Sequence, residues 1–167
     1  MHRRFVLPPA VVSGFLSLLF AAPAFAQMFG DWTEGPVPPA PALQTQGLIG
    51  VDVTGSDLRF GIDPASITVG KDGVVHFVLV AASRSGAVNA MYEGVHCSRA
   101  EFRIYARHNG QAWRDLESDW RPLIDGAEAR LAWTIARAGV CEGRVPGGTP
   151  AQIARALQTP ADRKSGF

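Results

Sequence analysis

The apolar run Val74-Val75-His76-Phe77-Val78-Leu79-Val80-Ala81, with a reversal at Ser83-Arg84-Ser85-Gly86 and a return through Val88 to Cys97, limits the possible folds more than any other stretch. Apart from His76 it is apolar at both odd and even positions. A strand of that kind is buried on both faces, because one with a wet face would alternate. Its β-branched and aromatic content favours extended backbone, and the four turn residues fold it back. The stretch therefore predicts a β-hairpin at the middle of a sheet.

The N-terminus points to export. Met1-His2-Arg3-Arg4 precedes an apolar core from Val11 to Ala22, and Ala24-Phe25-Ala26 supplies small residues where a signal peptidase reads. Ser13, Gly14, Ser17 and Pro23 interrupt the run, which is too short for a membrane span of about 20 apolar residues. Cleavage after Ala26 would leave a periplasmic chain of 141 of the 167 residues, starting at Gln27, with no membrane span and no lipid-bearing cysteine near its new end. The whole chain has 16 basic and 15 acidic side chains; without Arg3 and Arg4 the balance is 14 against 15, which gives no reason to expect nucleic acid.

Two cysteines, Cys97 and Cys141, would then sit in an oxidising compartment, where the pair reads as a disulfide. Neither has a second ligand at the close spacing of zinc sites.

Along the chain, residues 27–47 form a Pro-rich segment with Pro36, Pro38, Pro39 and Pro41, suited to polyproline geometry and unable to pair as a central strand. It is either a mobile lead or a strap over the domain. An exposed tryptophan gains nothing in a free tail, which favours the strap, with Trp32 as anchor. A single domain follows over 48–158, with a flexible tail at 159–167. Leu48 to Val53 and Leu58 to Ile62 read as strands, with Asp63-Pro64 stopping the second and Lys71-Asp72-Gly73 turning into the hairpin. Glu101 to Arg107 alternates with period 2, sending Phe102, Ile104 and Ala106 to the core. Asn109-Gly110 suits a two-residue type I′ turn, which would set Ala106 opposite Trp113 and Tyr105 opposite Arg114. Asp125 with Glu128 resembles a capping box for a helix over Ala129 to Ala138, stopped by Gly139, with Leu131, Thr134, Ile135 and Ala138 on one stripe. Thr149-Pro150 opens a second helix, Ala151 to Leu157. The fold class is α+β, a mainly antiparallel sheet with two short C-terminal helices and one disulfide.

No self-contained chemical motif appears: no phosphate-binding glycine loop, no nucleophile elbow, no His-Glu-x-x-His and no Cys-x-x-Cys. His76, His96 and His108 lack ligand spacing, so neither a metal nor a cofactor is expected; His76 reads as a half-buried, hydrogen-bonded residue. Glu93 and His96 are the weak catalytic candidates. Three apart in a strand, they point to opposite faces unless a bulge at Gly94 realigns them, and Glu93 is better read as paired with an arginine. Alternation would gather Arg103, Tyr105, Arg107 and Arg114 on one outward face, the candidate ligand-binding surface for a small anionic ligand or an envelope protein. A solvated polar face would carry the same residues.

A wider pattern joins Asp63 and Ser66, Asp72-Gly73-Val74-Val75, Ser83 with Ser85-Gly86-Ala87, Tyr92-Glu93-Gly94 with Cys97, Glu101 with Tyr105-Ala106, Trp113, and Cys141. It covers most of the chain after the leader and resembles the cryptic neisserial protein-like family of exported proteobacterial proteins. His96 departs from the arginine usual at that position. The resemblance implies export and one intact domain, and carries no activity with it. The expectation is an exported periplasmic module that binds a partner without catalysis; the alternative is a small hydrolase or isomerase using Glu93 and a histidine.

Overall fold

The computed structural model describes residues 32–124 and 126–159. The expected signal peptide with its cleavage point after Ala26, the cap at Asp125 and the tail beyond Thr159 lie outside the described residues. The chain divides into two compact units, Met1–Trp32 and Thr33–Phe167. All the described secondary structure belongs to the second.

That unit is an antiparallel meander. Strands β1 (Ile49–Val51), β2 (Arg59–Val69), β3 (Val74–Ala82), β4 (Val88–His96), β5 (Glu101–His108) and β6 (Trp113–Asp115) lie side by side in sequence order, and β7 (Arg121–Pro122) pairs with the other end of β5. Two helices follow, α1 (Gly126–Ile135) and α2 (Pro150–Gln158). Between them a π turn, Ala136–Val140, runs into a small hairpin of β8 (Cys141–Glu142) and β9 (Val145–Pro146). The disulfide joins Cys97, just past β4, to Cys141 at the start of β8, with Cα atoms 5.7 Å apart. It ties the sheet to the helical layer.

The β3–β4 hairpin has the expected place and register, from Val74 opposite His96 to Ala82 opposite Val88. Gly86 takes φ +87° in its turn, a conformation that favours glycine. Every residue of β3 up to Ala81 is buried. One face, through Val75, Phe77 and Leu79, packs into the main core with Leu131, Ala132, Ile135 and Ile153 of the helices. The other, through Val78 and Val80, joins Tyr92 and Ala106, and Ala40 and Leu43 of the Pro-rich segment pack against it. The segment is thus a strap closing the second face of the sheet, and this explains why the strand is apolar on both sides.

Several local expectations change. Asp63-Pro64 does not stop β2, which continues to Val69 through an irregularity between Asp63 and Thr68. There the Ser66 hydroxyl donates to the Asp63 carbonyl at 2.6 Å and accepts the Val78 N–H at 2.8 Å, replacing ladder bonds that the irregularity removes. β1 is shorter than expected, and Leu58 lies outside the strand, 44% exposed. Helix α1 starts at Gly126, and the Glu128 carboxylate in its first turn bonds Arg107 and Arg121. Its core stripe is Ala129, Leu131, Ala132 and Ile135, with Thr134 and Ala138 only partly buried. Helix α2 does begin at a full capping box: Thr149 Oγ1 accepts the Gln152 N–H, and Gln152 Oε1 accepts the Thr149 N–H.

The largest correction concerns β5. Its turn to β6 spans four residues, His108 facing Trp113 and Arg107 facing Arg114. Asn109 Oδ1 accepts the N–H groups of Gln111 and Ala112, and this side-chain turn replaces the two-residue one. Against β4, Tyr92 faces Ala106 while Glu93 faces Ile104, so β5 carries one extra residue, a β-bulge. Leu116 N–H bonds the Tyr105 carbonyl at 2.8 Å and Ser118 Oγ the Ile104 carbonyl at 2.5 Å, which satisfies the outer edge there. A single extra residue reverses alternation beyond it. Phe102 and Ile104 face the helices; Ala106 faces the strap.

Candidate functional site

The bulge divides the four residues expected on one face. Arg103 and Tyr105 point to the strap, and Arg107 points to the helices with Arg114 opposite it in register. They form two separate places.

On the strap side, Glu34 is held by three donors that converge from strand and loop. Arg103 Nη1 lies 2.6 Å from Oε2, Tyr105 OH 2.5 Å from Oε1, and Trp120 Nε1 3.2 Å from Oε2. Arg103 also stacks over the Tyr105 ring at 5.1 Å. Asp72 accepts the Gly35 N–H at 2.7 Å, and Trp113 Nε1 donates to the Pro41 carbonyl at 2.8 Å. The Tyr105 ring lies over Gly94, where an added Cβ would come within 2.8 Å of it. That is what the glycine in Tyr-Glu-Gly provides. The phenol is pushed well above its usual range by burial and by Glu34.

His76 is fully buried on this face, 6.0 Å from the Tyr92 ring and 5.4 Å from the Tyr105 ring. Among the described residues neither ring nitrogen has a hydrogen-bond partner, contrary to the half-buried, hydrogen-bonded expectation. Burial lowers its pKa against the opposing pull of Asp72 and Glu34, and the ring stays neutral. His96 lies on the same face, with Nδ1 within 3.2 Å of Ser98 Oγ and its ring edge-on to Trp120. Burial, then Arg99, lowers its pKa. His108 Nδ1 accepts the Gly110 N–H at 3.0 Å and shapes its turn. Among the described residues no group of three His, Cys, Asp or Glu side chains could hold a metal.

The Glu34 contacts predict a measurable effect. Glu34→Gln removes the charge from three hydrogen bonds and is expected to destabilise the protein by about 1.5–3 kcal/mol. Hydrogen exchange by mass spectrometry should show the change concentrated in residues 33–47 and the facing strands. Uniform protection, equal to that of the parent, would show that Glu34 does not hold the strap.

On the helix side, Glu128 bridges Arg107 and Arg121, 2.7 Å from the latter, which holds its carboxyl below the usual range. Arg121 also lies over the Phe102 ring at 4.6 Å. Glu93 sits behind this ion group, between Phe77 and Ile104 in register, and is 2% exposed. Among the described residues its Oε2 has no hydrogen-bond partner and no arginine forms an ion pair with it, so the expected pairing is not made there. Burial pushes its pKa up to about 8, Glu128 adds to the rise, and Arg107 and Arg121 oppose it. The carboxyl is protonated near neutrality. Glu93 and His96 lie on opposite faces, and the bulge lies in β5 and not at Gly94.

Beside the ion group a cleft of about 630 Å³ opens between the end of the sheet and the start of α1. Val53, Leu58, Phe60, Ala81, Met91 and Leu131 give it an apolar floor. Arg107, Glu128, Arg130, Asn89 and Asn109 form the rim. The volume is that of a small-molecule site. Sequence patterning missed it because its parts come from four separate segments. It also missed Glu34, whose only signal is an acid at the head of the proline run.

A family model matches residues 29–158, which spans the strap, the sheet and both helices. The chain belongs to the CNP1-like family. No curated protein and no solved structure matches it. The match begins near the start of the Pro-rich segment, so the family pattern takes in the strap as well as the folded meander. It also takes in the residues that receive Glu34 and those that line the cleft.

Proposed function

We propose that this member of the CNP1-like family is an exported periplasmic binding module that takes up a ligand without catalysing a reaction on it. The leader-like N-terminus and the disulfide in a chain with only two cysteines support export to an oxidising compartment. Among the described residues no helix is long and apolar enough to cross a membrane.

One observation carries the binding reading. The open concave surface has an apolar floor and a charged rim, whereas the acid that an enzyme would need is sealed away from it. Glu93 is buried and does not line the cleft, and His96, the partner the sequence offered it, is on the other side of the sheet. Of the arginine and tyrosine candidates, Arg107 lines the cleft and Arg114 stands opposite it in the ladder; Arg103 and Tyr105 serve the strap.

The test uses the protein recovered from periplasm, its mass checked for a start at Gln27. The neutral dye N-phenyl-1-naphthylamine should bind with a rise in fluorescence, and Leu58→Asp should abolish that rise without unfolding the protein, because Leu58 is 44% exposed. A dye response that survives Leu58→Asp, or none in the parent, would overturn the cleft as a binding site. A start at Met1 would overturn export.

A further inference from the structure

We infer that the ligand of this cleft is a single-tailed amphiphile with an anionic head, its tail on the apolar floor and its head at the arginine end. The inference rests on the binding reading and adds the charge and shape of the ligand.

The floor supplies the apolar half. Leu58 is 44% exposed where it borders the cleft, an unusual position for a large aliphatic side chain in line with Val53, Phe60, Met91 and Leu131. Side chains placed this way lose contact with water when an acyl or alkyl chain covers them.

The charge comes from four guanidinium groups, two of which, those of Arg107 and Arg130, line the cleft. Arg107 and Arg121 share the one carboxylate of Glu128. Arg114 stands opposite Arg107 in the ladder, and Arg130 lies on the cleft wall. Among the described residues neither Arg114 nor Arg130 has a carboxylate within 4.0 Å. Two other described acids do not offset this charge. Glu93 is buried behind the group, and Asp115 faces the strap because it stands opposite Ala106. Among the described residues the one carboxylate of Glu128 thus meets four guanidinium groups around this end of the cleft, and like charges opposite each other on adjacent strands repel. An anionic head relieves that repulsion, whereas a cationic head adds to it. Arginine also suits a carboxylate or sulfonate through paired N–H donors.

Isothermal titration of the mature, disulfide-bonded protein tests this with dodecanoate, dodecyltrimethylammonium and dodecyl maltoside, each below its micelle concentration. Dodecanoate should bind one to one and at least about tenfold more tightly than the other two. Shortening it to decanoate and then octanoate should weaken binding roughly tenfold per step, as expected for two fewer buried CH₂ groups. Arg114→Ser with Arg130→Ser should weaken dodecanoate about three- to tenfold and flatten its salt dependence, with thermal unfolding unchanged. Equal affinity for the cationic amphiphile, or an unaltered affinity in the arginine variant, would overturn the inference. In that case, a dye that still binds and still depends on Leu58 would leave the binding module standing and remove only the charge preference.

Discussion

Replacing Cys97 and Cys141 together with alanine is expected to lower the free energy of unfolding by about 4 kcal/mol. The disulfide spans 44 residues of sequence, and a closed loop of that length denies the unfolded chain much of its freedom. The loss would be a large fraction of the total for a domain whose stability is in the ordinary range of about 5–15 kcal/mol. Both cysteines are buried, at 1% and 4% exposure, so alanine also leaves a small void between sheet and helices. Denaturant unfolding of oxidised parent and double variant gives the measurement. A difference below about 1 kcal/mol would show that the sheet and helical layer hold together without the link.

The second large effect is a loss of stability as pH rises towards 8, which a single substitution removes. Glu93 has its carboxyl raised to about 8 in the folded protein, against about 4.5 in the unfolded chain. Between those values the folded state holds a proton that the unfolded state has lost, so stability is complete below 4.5 and falls as pH rises through 8. The whole shift corresponds to about 4–5 kcal/mol. Part of the window is complicated by His76, whose lowered pKa makes stability fall as pH drops below 6.5. The clean interval is therefore pH 6.5 to 8, where the parent should lose roughly 1.5 kcal/mol. Glu93→Gln cannot ionise and should be flat over that interval. The same slope in the variant would place the responsible proton elsewhere.

Physically, Glu93 is tolerated because a protonated carboxyl needs no counter-charge. Arg107 and Arg121 stand close to it, yet both are committed to Glu128, which lies nearer the solvent. A charge in the buried position would have to draw an arginine inward and break that bridge. The ion group at the cleft is thereby coupled to the protonation of a residue that never touches solvent.

Local signals were enough for some features. The composition of β3 and the turn after it determined the central hairpin, because an apolar run closed by four turn residues has few other ways to fold. Thr149 and Pro150 determined where α2 starts, because capping is a matter of residues within one turn. The sequence has two cysteines, and they are joined to each other.

What the tertiary structure decided lies in long-range pairing. The bulge in β5 depends on how Tyr92 and Glu93 of β4 meet Ala106 and Ile104, and no residue of β5 announces it. By reversing alternation it sends Arg103 and Tyr105 to one side of the sheet and Arg107 to the other. The partners of Glu34 are equally remote: 69 to 86 residues separate it from Arg103, Tyr105 and Trp120. The sequence by itself determined that β3 is covered on both faces, that one disulfide closes the domain and where the last helix begins, because these follow from composition and contacts within a few residues. Which arginines hold the strap and which rim the cleft was decided by one extra residue in a ladder, because side-chain direction in a sheet is set by the pairing of distant strands and not by local order.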